Sequence, residues 1–173
     1  MLPKLSFVLG GAASGKSAFA EGLVVQTGAP KVYVATAEIY DDEMRAKVDA
    51  HLEMRGETWR TIEAPQDLTP ALESVRSDEV VLLDCATMWL SNQVMAESDL
   101  VEETDRLLAA INNCAGRVVV VSNEVGMGIV PDNALARRFR DKQGKLNQRI
   151  AAEADLAVFV IAGLPTFLKG QLR

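Results

Sequence analysis

Leu5-Ser-Phe-Val-Leu-Gly10-Gly-Ala-Ala-Ser-Gly15-Lys16-Ser17 decides the fold. From Gly10 to Ser17 it matches G-x-x-x-x-G-K-[ST] without gaps. The motif also has the setting it requires, an apolar strand before it and a helix after it. Its glycines let the backbone curl until several N–H groups converge on phosphate oxygens. The N-terminus of the following helix adds its positive partial charge. Lys16 would reach the β- and γ-phosphates, and Ser17 would hold Mg²⁺. A glycine-rich turn matching by accident is the competing reading, and two correct flanks weigh against it.

Outward from this loop, short aliphatic runs alternate with longer amphipathic ones. Strands are expected at Leu5–Leu9, Val32–Ala35, Trp59–Ile62, Val80–Leu83, Arg117–Ser122 and Leu156–Ala162. Helices are expected from Ser17 to about Thr27, ended by Gly28 and Pro30, and from Asp41 to Arg55, with an acidic first turn. Further helices are expected over 67–76, 88–95, 100–113 and 133–154, the last with Gly144 as a candidate break. Unbroken aliphatic strands between helices mean a sheet covered on both faces. The expected class is α/β, a P-loop NTPase three-layer sandwich with a mainly parallel central sheet. No repeat or linker interrupts the 173 residues, which read as one domain, 1–173.

Composition narrows the partners. A net charge of −6 repels nucleic acid and anionic membrane at long range, so neither is expected as a partner. A local nest of N–H groups still binds a nucleotide against that field. Cys85 and Cys114 form neither a metal-ligand spacing nor a redox pair. No apolar run reaches the roughly 20 residues of a membrane helix. The expected location is the cytoplasm.

In a parallel sheet, ligands gather at the carboxyl ends of strands. Asp84 ends Val-Val-Leu-Leu-Asp, where this fold class places its Mg²⁺ carboxylate; the alternative is an N-cap for the next helix. His51 is the one histidine. Met44, Val48, His51 and Arg55 share a helical face, so the imidazole would be held near the protein body. It could attack phosphorus, with Arg55 stabilising phosphate charge. From the residues alone, a structural histidine explains the pattern as well.

Several strings carry a resemblance: Gly10–Ser17, Tyr33-Val-Ala-Thr-Ala37, Asp41-Asp-Glu-Met44, His51, Trp59-Arg-Thr-Ile-Glu63, Leu83-Asp-Cys-Ala-Thr87, Trp89-Leu-Ser-Asn92, Ser122-Asn-Glu-Val-Gly-Met-Gly-Ile-Val-Pro131, Asn133–Asp141, Leu146-Asn-Gln148 and Gly163-Leu-Pro165. Nearly end to end, they resemble the bifunctional adenosylcobinamide kinase/adenosylcobinamide-phosphate guanylyltransferase family of cobalamin biosynthesis. The resemblance implies phosphorylation of adenosylcobinamide with ATP or GTP. It further implies transfer of GMP from GTP, through a guanylylated histidine, to adenosylcobinamide phosphate, giving adenosylcobinamide-GDP. His51 stands at the guanylylated position. The implied nucleotide contacts are Gly10, Gly11, Ala12, Ala13, Ser14, Gly15, Lys16, Ser17, Ala35, Thr36, Ala37, Leu52, Glu53, Met54, Arg55, Glu63 and Asp84. A homo-oligomer, a trimer, is implied as well. Ala13 stands where arginine is usual, and Ala86 and Met88 where leucine is common; these touch details of nucleotide binding.

Lys16, Glu124 and His51 are the expected catalytic residues. Glu124 follows the Val118–Val121 run and is placed to orient or deprotonate the substrate hydroxyl; the alternative is a loop carboxylate bonding backbone N–H groups. Arg137, Arg138 and Arg140 would bind substrate phosphate or serve a lid, or lie on a solvated face. Two rival readings are a single-step kinase with a structural His51 and a nucleotide switch. The Asn-Lys-x-Asp motif of guanine switches is absent from the sequence.

Overall fold

The computed structural model describes residues 1–38 and 58–172. The helix expected over 41–55, with His51, Leu52, Glu53, Met54 and Arg55, lies outside the described residues. The elements are β1 (Leu5–Gly10), α1 (Lys16–Val25), β2 (Lys31–Ala35), β3 (Trp59–Glu63), α2 (Thr69–Glu73), β4 (Val80–Asp84), α3 (Ala86–Met95), α4 (Leu100–Asn113), β5 (Arg117–Asn123), α5 (Ala134–Glu153), β6 (Leu156–Ile161) and β7 (Leu164–Lys169).

Seven strands form one sheet in the order β3-β2-β4-β5-β1-β6-β7. The pairings between β3 and β6 along that order are parallel, and β7 runs antiparallel to β6. Parallel strands must be buried on both faces, and their aliphatic runs meet that need. Val8, Val80, Leu82, Val119, Val121 and Val158 point to the α1 face, where Ala20, Leu23 and Val24 cover them. Phe7, Val34, Leu83, Val118 and Val120 point to the other face, against Leu72, Trp89, Leu107, Ile111, Leu146 and Ile150 from α2 to α5. This is the expected three-layer sandwich. Among the described residues, no helix is long and apolar enough to cross a membrane.

Three details differ from the sequence expectation. α5 runs unbroken through Gly144. A mid-helix glycine costs about 1 kcal/mol, but Gln143, Leu146, Asn147 and Ile150 are buried around it and hold the helix down. The helix expected over 67–76 shrinks to Thr69–Glu73. At its start the Asp67 carboxylate accepts from the Thr69 N–H at 2.9 Å, which fixes a turn. At its end the Arg76 N–H goes to the Glu79 carboxylate at 2.7 Å instead of to a helical carbonyl. The third is β7, which was not expected at all. Ala162 and Gly163 both have positive φ, 51° and 77°, and make the two-residue turn that matches strand twist. Pro165 is tolerated because β7 is an edge strand.

Candidate active site

The register brings the expected site residues to one edge of the sheet. Gly10 lies opposite Asn123, Asp84 opposite both Val121 and Ala35, and Ala35 opposite Glu63. These are the carboxyl ends of β1, β5, β4, β2 and β3. Strand alternation then sorts their side chains. Leu82 and Val121 face α1, so Asp84 and Asn123, each two residues further on, face α1 as well. Lys16 and Ser17 begin α1 above that same face.

The phosphate loop is closely built. Gly15 has φ 90° and ψ 3° and forms the N-cap of α1. Ala13 is also left-handed, at φ 53°. A Cβ on Gly10 would meet the Val160 carbonyl at 2.8 Å, and one on Gly15 would meet Gly163 Cα at 3.0 Å. The β6–β7 turn is fastened to the loop, since the Gly163 N–H donates to the Ser14 carbonyl at 2.8 Å. Lys16 lies along its own loop, with Nζ donating to the Gly11 carbonyl at 3.1 Å.

Beside the loop, the Tyr33 hydroxyl donates to Asp84 Oδ2 at 3.3 Å. Asp84 is the last residue of β4, and Cys85 holds the N-cap position of α3 without a side-chain cap. Asp84 is therefore not the cap of that helix. The buried Thr36 hydroxyl brackets the next residue: it donates to the Cys85 carbonyl at 2.7 Å and accepts from the Cys85 N–H at 2.8 Å. Asn92 Nδ2 donates to the Thr36 carbonyl at 2.8 Å. Burial, and then the Asp84 charge, push the Cys85 thiol up; N–H groups of Met88 and Thr87 and the Lys16 cation offset this only partly. Cys85 is thus a poorer nucleophile than a free thiol. Ser17 and Asp84 offer hard oxygen donors above one face, a set that suits Mg²⁺ shared with phosphates. Among the described residues, no group of three or more His, Cys, Asp or Glu could hold a metal alone.

Glu124 leaves β5 next to the loop, its N–H donating to the Gly10 carbonyl at 3.0 Å. Its carboxylate accepts from the Gly126 N–H, the backbone-bonding arrangement weighed from sequence. Arg137 donates to the Pro131 and Asp132 carbonyls at 2.9 and 2.7 Å, and Arg140 to the Gly126 carbonyl at 2.5 Å. These two arginines strap the 125–132 loop to α5. Arg138 makes neither ion pair nor hydrogen bond among the described residues, as a solvated position would. A groove of about 510 Å³ begins at Glu124 and passes Leu9, Gly144, Ala151 and Leu168 between α5 and β7.

Lys16, Ser17, Asp84 and Thr36 are thus gathered around one strand edge, with Glu124 on the flank of the loop. Glu63 is exposed and belongs to β3, four strand spacings from β1, about 19 Å; it stands outside the phosphate cradle. Sequence reasoning gave no role to a buried polar network beneath the site. Ser122 Oγ donates to Asn147 Oδ1 at 2.7 Å, Gln143 Nε2 reaches both, and Asn147 Nδ2 donates to the Asn123 carbonyl at 3.1 Å. Polar residues at buried positions of β5 and α5 were the available signal.

Comparison with known proteins identifies the family. A family model described as cobinamide kinase / cobinamide phosphate guanyltransferase matches residues 6–168. The bifunctional adenosylcobalamin biosynthesis protein CobP of Pseudomonas aeruginosa is 40% identical, over 95% of this chain and 96% of its own. The proteins called bifunctional adenosylcobalamin biosynthesis protein CobU are 39% identical in Escherichia coli and 41% in Salmonella typhimurium, each over 94% of this chain and 98% of its own. Among solved structures, the RadB recombinase overlays 90% of this chain and 73% of its own, at a TM-score of 0.48 and 18% identity, a distant likeness.

Proposed function

This chain belongs to the cobinamide kinase / cobinamide phosphate guanyltransferase family, and from that premise we propose how its residues divide the two reactions. The enzyme phosphorylates adenosylcobinamide and then transfers GMP to the product, giving adenosylcobinamide-GDP in cobalamin biosynthesis. The observation that carries the division of labour is the convergence of Lys16, Ser17 and Asp84 on one face of the strand edge.

In the kinase step the loop N–H groups and Lys16 hold the β- and γ-phosphates of ATP or GTP. Mg²⁺ bound with the nucleotide would be held by Ser17 and Asp84 and would lower the charge repulsion on those phosphates. Glu124 exchanges its Gly126 partner for the substrate hydroxyl, orients it and takes its proton as the oxygen attacks the γ-phosphorus. The groove leading from Glu124 is apolar enough to receive part of a bulky corrinoid.

In the second step the His51 imidazole attacks the α-phosphorus and pyrophosphate leaves; the phosphate oxygen of adenosylcobinamide phosphate then displaces the histidine. Leu52–Arg55 and Ala35–Ala37 contact the nucleotide, and Glu63 reaches only its base end. The α- and γ-phosphorus atoms are different targets, so the triphosphate or the His51 segment shifts between steps. β2, which precedes that segment in the chain, ends at Ala35 opposite Asp84.

We further read the enzyme as a cytoplasmic homo-oligomer, a trimer. Leu164 and Leu168 of the edge strand β7 are 71% and 61% exposed, and Ile129 of the 125–132 loop is 97% exposed; apolar surface of this kind calls for a cover. Light scattering on the purified protein tests the stoichiometry.

The test of the division is a chromatographic assay of both products from adenosylcobinamide, GTP and Mg²⁺. Lys16→Ala should abolish both products. His51→Ala should accumulate adenosylcobinamide phosphate and make no GDP derivative. A His51→Ala enzyme that still makes adenosylcobinamide-GDP would overturn the assignment and favour a structural histidine.

A further inference from the structure

We infer that Asn123 is a phosphate-contacting catalytic residue, its side-chain amide donating to the γ-phosphate between the phosphate loop and Asp84. The inference rests on the reading above that the loop holds the triphosphate.

Four observations carry it. Asn123 is the carboxyl tip of β5, the strand that lies between β1 with its loop and β4 with Asp84. Strand alternation turns its side chain to the α1 face, the face shared by Asp84 and by the start of α1. Asp84 pairs with Val121, so Asn123 stands two residues further out, about 6–7 Å beyond it along the strand direction. This is the side on which ligands of a parallel sheet bind.

Both backbone polar groups of Asn123 are held by side chains. Its N–H donates to Thr87 Oγ1 at 2.8 Å, and its carbonyl accepts from Asn147 Nδ2 at 3.1 Å. Thr87 and Asn147 are in turn linked through Ser122 Oγ, at 3.3 and 2.7 Å. Such a network fixes the position of one residue closely, at the cost of several buried polar groups. Yet the half-buried side-chain amide so positioned has no hydrogen-bond partner among the described residues. A rigidly held, unused donor beside a phosphate loop is arranged for a ligand.

In the reaction, the substrate hydroxyl oxygen bonds to the γ-phosphorus while the bond from that phosphorus to the bridging oxygen breaks. The electron pair stays on the nucleoside diphosphate, and the hydroxyl proton goes to Glu124. Asn123 Nδ2–H donates to a non-bridging γ-oxygen throughout and gives up no proton. A nucleoside diphosphate, lacking the γ-group, does not reach it.

The test compares GTP with GDP. Asn123→Ala should lower kcat of the phosphorylation step by about 10²-fold and weaken GTP binding by roughly tenfold. GDP affinity and the urea midpoint should stay at wild-type values, because no intramolecular bond is lost. Asn123→Asp, the same size but anionic, should weaken GTP binding more than alanine does and again spare GDP. Equal losses for GTP and GDP would mean an altered loop shape and would overturn the inference, as would unchanged kcat. Lys16→Ala run alongside separates the two claims. If it weakens GTP binding while Asn123→Ala leaves GTP binding and kcat intact, only the Asn123 inference falls. If Lys16→Ala leaves GTP affinity intact, the loop reading falls and takes Asn123 with it.

Discussion

Gly15→Ala is the substitution that bears most directly on the geometry of the phosphate loop. Gly15 sits at φ 90°, where a side chain costs about 1–2 kcal/mol. The added Cβ would lie 3.0 Å from Gly163 Cα. That neighbour is backbone, tied to the loop by the 2.8 Å bond between the Gly163 N–H and the Ser14 carbonyl. Overpacking of this kind adds about 1–3 kcal/mol. Reduced freedom of the unfolded chain returns about 0.4–1 kcal/mol. The net is about 1–4.6 kcal/mol, shared between stability and nucleotide affinity according to how far the loop shifts. Taken wholly as affinity, it is roughly 5- to 2,000-fold.

Urea unfolding and calorimetric GTP titration of the same preparations measure the two shares. Gly11→Ala is the matched control. Gly11 has no positive φ, and a Cβ there meets no protein atom within 4 Å, so its loss of stability should stay within about 0.5 kcal/mol. A Gly15→Ala protein that keeps both stability and affinity within that margin would refute the reasoning. So would a Gly11→Ala protein that loses as much stability.

Glu79 and the cysteines give two further tests. Glu79 is 3% exposed and holds Arg60 at 3.0 Å, the Arg76 N–H at 2.7 Å and the Arg76 guanidinium at 3.2 Å. Burial alone would raise its pKa, but the Arg76 N–H and the two guanidinium groups outweigh it and bring it below 4.5. A depressed carboxyl gives its full stability above the unfolded value and loses it as pH falls through the folded one. Glu79→Gln should therefore cost about 1–3 kcal/mol near neutrality, and the gap should narrow below pH 4.5; a gap that widens with acid refutes the ion-pair account. For the thiols, burial pushes both Cys85 and Cys114 up. Iodoacetamide should modify the native protein far more slowly than the urea-unfolded protein, and equal rates would contradict the environment described for Cys85.

Much of the architecture was legible because single residues reveal it. Val118–Val121 and Val80–Leu83 are unbroken aliphatic runs, and only a strand buried on both faces uses them that way. Gly10–Ser17 carries its chemistry in consecutive residues, so motif and loop coincide. β7 was hidden because Ala162 replaces the asparagine or glycine that usually announces a two-residue turn, and Leu164–Lys169 is exposed throughout. The network beneath Asn123 was hidden for another reason. Ser122 meets Asn147 across 25 residues, and Thr36 brackets Cys85 across 49; no local pattern encodes such pairs. His51 marks the limit on the chemical side, since spacing fits a structural imidazole as well as a nucleophile and only the family resemblance separates them.

The covalent histidine is the central claim, and the intact mass of the protein after incubation with GTP and Mg²⁺ tests it most directly. The account predicts a gain of one GMP, lost in acid and retained in base, and absent from His51→Ala. A wild-type protein that binds GTP yet gains no mass, or a His51→Ala protein that gains the same adduct, would contradict it.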